Sequence, residues 1–154
     1  MMKKGFPSSI WIAILILGEI QAAPCIHLVG TVGKKNLFTA TRELTWFESL
    51  EYCHSLGMSL AVLESEREVT VVEEYLQNCA VKHHVWLAAT DLFKEGTFTW
   101  MNTGNPVGTL PRWLNGQPDG GLRQNCVLIN GSTLKWEDQS CSFIYCRPLC
   151  QLLS

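Results

Sequence analysis

The chain lacks the ligand spacing of a structural zinc site. No Cys-x-x-Cys pair occurs among its seven cysteines, and His27, His54 and the His83-His84 pair do not supply zinc-like spacing either. It also lacks an excess of positive charge. Twelve Lys and Arg stand against fourteen Asp and Glu, which excludes a basic footprint for nucleic acid or an anionic membrane. Internal repeats and low-complexity segments are absent, which excludes solenoids and arrays. The apolar run Ile10 to Leu17 falls short of the ~20 residues of a membrane helix, and Glu19 follows it closely, so membrane insertion is not expected.

What that run does fit is a signal peptide over residues 1–22. Lys3 and Lys4 form its charged start and Gln21-Ala22-Ala23 its small-residue cleavage site, with the cut after Ala22 so that Pro24 is not left first. Residues 23–154 then form one domain, with ten basic against thirteen acidic side chains once Lys3, Lys4 and Glu19 are removed. All seven cysteines (25, 53, 79, 126, 141, 146 and 150) lie in this part, and in a secreted, extracellular chain of this size they read as disulfide staples. Seven is odd, so one thiol is left free or bonded to another chain, a route to a disulfide-linked homodimer.

Two helix starts are legible. Thr45-Trp46-Phe47-Glu48 fits a capping box, with Phe47, Leu50, Cys53 and His54 expected on one face and Gly57 as terminator. Ser65-Glu66-Arg67-Glu68 repeats the device ahead of Val69, Val72, Tyr75 and Leu76. Leu37-Phe38-Thr39 reads as a short strand before the first helix, and the apolar run Val85 to Ala89 as a buried strand after the second. From Thr90 on, glycine and proline punctuate the chain. Short strands fit at Thr97 to Met101, Cys126 to Ile129, Leu134 to Trp136 and Phe143 to Leu149, with a tight turn at Asn130-Gly131. The order is α+β, with a long irregular segment of the kind that carries function. Asn130-Gly131-Ser132 is a glycosylation sequon on that turn.

Several further pieces occur in one order: Trp46-Phe47-Glu48-Ser49-Leu50, Cys53, Gly57, Val85-Trp86-Leu87-Ala88-Ala89-Thr90-Asp91, Glu95-Gly96 and Phe98-Thr99-Trp100. They continue with Trp113-Leu114-Asn115-Gly116-Gln117-Pro118-Asp119, Cys126, Trp136-Glu137-Asp138, Cys141 and Pro148-Leu149-Cys150. Over residues 26 to 151 the chain resembles secreted C-type lectins of the short, single-domain kind common in insects. The resemblance implies a C-type lectin-like fold: two helices, two small antiparallel sheets and a long loop bearing a calcium and sugar site. It also implies disulfides Cys53–Cys150 and Cys126–Cys141, with Cys146 as an alternative to Cys150. Cys25, Cys79 and Cys146 have no familiar partner. Cys146 and Cys150 cannot pair within one strand, because four residues span ~13 Å and bridged Cα atoms lie under ~7 Å apart.

Carried over position by position, the resemblance places calcium (Ca2+) ligands at Gln117, Asp119, Gln124, Glu137 and Asp138, with Pro118 in cis. Gln117, Asp119, Glu137 and Asp138 would also contact carbohydrate. The family pattern has Glu where this chain has Gln124, and Asn where it has Glu137. The two exchanges leave three carboxylates, so the charge that balances calcium persists while its position moves. Gln-Pro-Asp resembles galactose-type members. Those also carry an aromatic after the motif, whereas here Gly120-Gly121-Leu122-Arg123 is about one residue short and has none; Leu122 supplies an apolar substitute and Arg123 an unfavourable cation. A second calcium site is not expected. Asp91 and Glu95 match two of its ligands, but Gly120 and Asn125 replace acids, and two carboxylates on an exposed turn are ordinarily solvated. Trp86, Trp100 and Trp113 are expected in the core rather than against sugar.

The implied function is a secreted, calcium-assisted carbohydrate-binding lectin of galactose-like preference, recognising glycans or a glycoprotein in extracellular, innate-immune-type recognition. The competing reading is a calcium-independent protein-binding module on the same fold. Catalysis is not expected: Glu137 and Asp138 are adjacent and serve one ion rather than flank a bond, and no Ser/His pair shares a frame.

Overall fold

The computed structural model describes residues 26–153. The expected signal peptide and Cys25 lie outside the described residues. Strands β1 (Ile26–Val32) and β2 (Lys35–Ala40) form a hairpin, followed by helix α1 (Trp46–Ser55), strand β3 (Ser59–Leu60) and helix α2 (Glu66–Asn78). Strands β4 (His84–Thr90) and β5 (Thr99–Trp100) come next, then a 3-10 turn at Gly121–Arg123. Strands β6 (Cys126–Ile129), β7 (Trp136–Gln139) and β8 (Cys146–Leu153) complete the order.

Both helices start where their sequences predict, but only the first closes the expected capping box. The Thr45 hydroxyl accepts from the Glu48 N–H while the Glu48 carboxylate accepts from the Thr45 N–H, a complete capping box. At α2 the Ser65 hydroxyl accepts from Glu68 N–H, but the Glu68 carboxylate reaches Glu64 N–H instead of closing the box, and pairs with buried Lys35 at 2.9 Å. The buried face of α1 differs from the expected one. Trp46, Ser49 and Cys53 are buried, whereas Phe47 is 52% exposed and His54 is exposed. The cause is Trp46, whose indole N–H donates to the Leu87 carbonyl at 2.8 Å and turns that side of the helix inward.

The strands run in the order β1-β2-β8-β4-β6-β7, with β3 added to β8 and β5 to β4. The expected pair of antiparallel sheets is therefore joined into one path, and the joint is a parallel pairing of β4 with β8. β8 begins later than Phe143 because Phe143 N–H closes a turn onto Ser140, and it runs to Leu153 because β2 pairs with it from Leu149 to Leu153. Likewise β7 begins at Trp136, since Leu134 adopts a left-handed φ of 59° that no strand accommodates. Asn130-Gly131 is not a two-residue turn. The loop spans residues 130–135, and the Asn130 amide oxygen accepts from Ser132 and Thr133 N–H. Gly131 is needed for closeness rather than for positive φ: a Cβ there would sit 1.9 Å from the His83 carbonyl oxygen.

The core lies between the helices and the sheet path, around Trp46, Trp86, Trp136, Leu63, Leu87 and Leu149. Trp86 and Trp100 are buried and Trp113 is half-buried against Phe98 and Trp136, as expected of packing residues. Disulfides Cys53–Cys150 and Cys126–Cys141 are formed. Cys79 and Cys146 are unbridged. Cys146 is wholly buried, and burial pushes its thiol well above the usual range, so it is neither accessible nor reactive.

Candidate functional site

The loop ahead of β6 folds back onto β7 at three of the five residues proposed for metal. The Gln117–Pro118 bond is cis. Gln117 donates its amide N–H to Asp119 Oδ1 at 2.8 Å, and its Oε1 accepts from Asp138 N–H at 3.0 Å. Asp119 and Gly120 N–H donate in turn to Asp138 Oδ1 and Oδ2, at 3.1 and 3.0 Å. Asp138 is 3% exposed, and those two N–H groups satisfy both of its buried carboxylate oxygens. Asp119 stands at the exposed rim.

Gln124 and Glu137 are engaged elsewhere. Alternation along β7 sends Glu137 and Gln139 to the side opposite Trp136 and Asp138. Glu137 Oε1 accepts from the Asn130 side-chain amide at 2.9 Å, and Gln124 donates to Gln139 Oε1 at 3.2 Å. The sequon residue therefore spends its side-chain nitrogen on one of the proposed ligands. Leu122 is 82% exposed on the turn after the motif.

A second set of acids borders the first, and here the solvated-turn reading of Asp91 and Glu95 needs correcting for Asp91. Asp91 closes β4 and is 3% exposed; its Oδ2 accepts from Gly96 N–H, while its Oδ1 is buried without a hydrogen-bond partner. Glu95 is exposed, and its carboxylate reaches the Gly121 end of the turn: a Cβ on Gly121 would lie 3.9 Å from Glu95 Oε1. Partial loss of water, then repulsion from Asp91 and Asp138, holds the Glu95 carboxyl above its ordinary pKa. The Asp-x-x-x-Glu spacing was visible in the sequence. That Asp91 is buried was not, because its place at the end of β4 follows from the pairing with β6.

Calcium requires hard oxygens carrying negative charge. Gln117, Asp119 and Asp138 bring such oxygens side by side, each linked to the next by a hydrogen bond. The buried, unpartnered Asp91 Oδ1 is a further oxygen suited to a cation. Gln124 and Glu137 lie outside this cluster, bonded to Gln139 and Asn130. Among the described residues, no group of three or more His, Cys, Asp or Glu is placed to hold a metal.

Comparison with known proteins is consistent in fold and sequence. The Lectin C-type domain model matches residues 42–152. Human C-type lectin domain family 3 member A is 33% identical over 135 residues, covering 86% of this chain and 68% of that protein. Salivary C-type lectin 1 of Aedes albopictus is 34% identical over 107 residues, covering 63% of this chain and 69% of its own length. Among solved structures, the cow CD23 carbohydrate-recognition domain, determined in the presence of a GlcNAc2Man3 oligosaccharide, superposes with a TM-score of 0.69. It is 27% identical, with 80% of this chain and 91% of that one covered. With a family model matched over most of its described length, two formed disulfides and this fold, the chain belongs to the C-type lectin domain family.

Proposed function

We propose that the protein is a secreted, non-catalytic lectin that binds galactose-like glycans at the Gln117-Pro118-Asp119 loop with the help of calcium. The observation carrying this reading is the hydrogen-bonded set of Gln117, Asp119 and Asp138, which links exposed Asp119 to buried Asp138 through the motif. Gln117, Asp119 and Asp138 would hold the ion. When bound, calcium offers its remaining coordination positions to vicinal sugar hydroxyls. Asp119 then accepts from a sugar hydroxyl, Gln117 positions Asp119 through its amide, and the backbone N–H groups of Asp119 and Gly120 hold the Asp138 side chain in place. Exposed Leu122 presents apolar surface to the sugar face in place of an aromatic. With two carboxylates the calcium affinity belongs in the range of about 0.1–1 mM typical of extracellular modules. One such site binds a monosaccharide weakly, so retention on a glycan surface depends on clustering. The 1–22 signal segment, the single domain over 23–154 and a glycan on Asn130 belong to this reading. Asn130 keeps one amide hydrogen for Glu137 after modification.

Calorimetry with calcium, followed by retention on immobilised galactose with and without EDTA, tests it. Saturable binding and EDTA-sensitive retention are expected, both lost in Asp119→Ala. Retention that EDTA leaves unchanged would overturn the calcium mechanism. A second reading has its own observation. The Glu137–Asn130 and Gln124–Gln139 bonds direct two proposed ligands away from the loop, which favours a calcium-independent, protein-binding surface. The double variant Gln124→Glu, Glu137→Asn separates the two: calcium binding by that variant alone supports the protein-binding reading.

A further inference from the structure

The loop that carries Gln117-Pro118-Asp119 is entered through Arg112, and that residue is fastened twice. Its main chain is tied to β7, the last strand of the sheet path. The Arg112 carbonyl accepts from Trp136 N–H at 3.0 Å, and Leu114 N–H donates to the Trp136 carbonyl at 2.9 Å. Trp113 and Trp136 thus form a short parallel bridge on the open edge of β7. The Leu114 carbonyl next accepts from Gln117 N–H at 2.8 Å, which closes a turn. That turn brings Gln117 Oε1 to Asp138 N–H, two residues beyond Trp136 on the same strand.

The Arg112 side chain is tied to α2. Its guanidinium donates through Nη2 to the Glu66 carboxylate and through Nη1 to that of Glu73. Positions 66 and 73 share one face of the helix, about two turns or ~10 Å apart along its axis. A guanidinium bridges them because its N–H groups form a fixed, planar fork; a lysine ammonium is a point charge suited to one. The Glu73 side chain is 15% exposed, so its carboxylate needs a partner, and Arg112 supplies one. The anchor is firm. Elsewhere on α2, Glu68 pairs with buried Lys35 at 2.9 Å, and Val71 packs so closely on Gly30 of β1 that a Cβ there would lie 2.4 Å from Val71 Cγ1.

We infer that Arg112 is a positioning residue for the Gln117-Pro118-Asp119 site: by gripping α2 it holds the entry of the loop on β7, so that Gln117 and Asp119 meet Asp138 in a fixed arrangement. Its effect on ligand rests on the reading of this loop as the calcium-binding site. Arg112 touches none of the proposed calcium ligands. It acts on them through Leu114, the turn to Gln117 and the Gln117 bonds to Asp119 and Asp138. Glu66 and Glu73 therefore belong to the support of a site that lies on another element.

Two measurements test this on Arg112→Gln and on the double variant Glu66→Gln, Glu73→Gln: amide hydrogen exchange in calcium-free buffer, and calorimetric titration with calcium. Exchange at Leu114, Gln117 and Asp138 N–H should quicken about tenfold in both, while the amides of β4 and β6 stay protected. Calcium affinity should fall about tenfold, the lower end of what is lost when the support of a metal ligand is removed. Arg112→Lys keeps one of the two pairs and should fall between wild type and Arg112→Gln. Thr45→Ala loosens α1 without touching the loop and should bind calcium like the wild type. Unchanged exchange at the three amides would overturn the inference. So would calcium affinity equal to that of a calcium-binding wild type, or an equal loss in Thr45→Ala. A wild type that binds no calcium, with exchange quickened in the variants, would instead sink the calcium reading and leave the clamp standing.

Discussion

Single residues in this fold are set by what stands against them, and Gly131 is the clearest case. The Asn130-Gly131 pair invites a reading in terms of positive φ. What forbids a side chain is instead the His83 backbone, whose carbonyl oxygen occupies the position of a Cβ. Because backbone atoms cannot swing aside, Gly131→Ala should destabilise the protein by about 1–3 kcal/mol in urea unfolding. A change below half a kcal/mol would mean the loop can move away. Asp138 is the converse case, a polar side chain that tolerates burial because Asp119 and Gly120 aim their N–H groups at it. Its chemical type was legible from the Trp136-Glu137-Asp138 string. That Glu137 next to it faces the other side of β7 follows from strand alternation once the register with β6 is known.

At the scale of elements, the helix starts were readable because capping is a local code. Thr45→Ala should cost about 1 kcal/mol, measured as a shift in the urea midpoint. The same box has a pH signature. Bonds from the Thr45 backbone N–H, then from its hydroxyl, hold the Glu48 carboxyl below its ordinary pKa. A carboxyl lowered on folding stabilises above its unfolded pKa and loses that contribution as pH falls through the folded value. The urea midpoint of the wild type should therefore fall more steeply than that of Glu48→Gln, which cannot titrate, from about pH 5 downward. Equal slopes would show that the box does not act in solution. The buried face of α1 was not legible, because Phe47 and Trp46 are both apolar. Only a carbonyl waiting at Leu87 decides which of them turns inward.

For the molecule as a whole, β8 is the hub: it pairs with β2, β3 and β4, and Cys150 ties it to α1. The Cys53–Cys150 bridge closes 97 residues, a loop whose entropy in the unfolded chain corresponds to about 4.7 kcal/mol. Replacing both cysteines by Ala should lower the thermal midpoint far more than replacing Cys126 and Cys141, whose 15-residue loop corresponds to about 3 kcal/mol. Calorimetric melting of the two double variants ranks them, and the reverse order would show that the unfolded-chain model fails here. The sequence by itself determined both helix starts, the buried strand after the second helix, two cysteine pairs and the loop motif, but not strands β1 and β3, because only the former are written in local spacing or in a recurring pattern. Tertiary structure alone decided that β4 and β8 join the sheets in parallel, that Asp91 is buried, and that Glu137 and Gln124 turn from Asp138 toward Asn130 and Gln139. Those outcomes depend on strand register and on partners distant in the chain, which residue order does not encode locally.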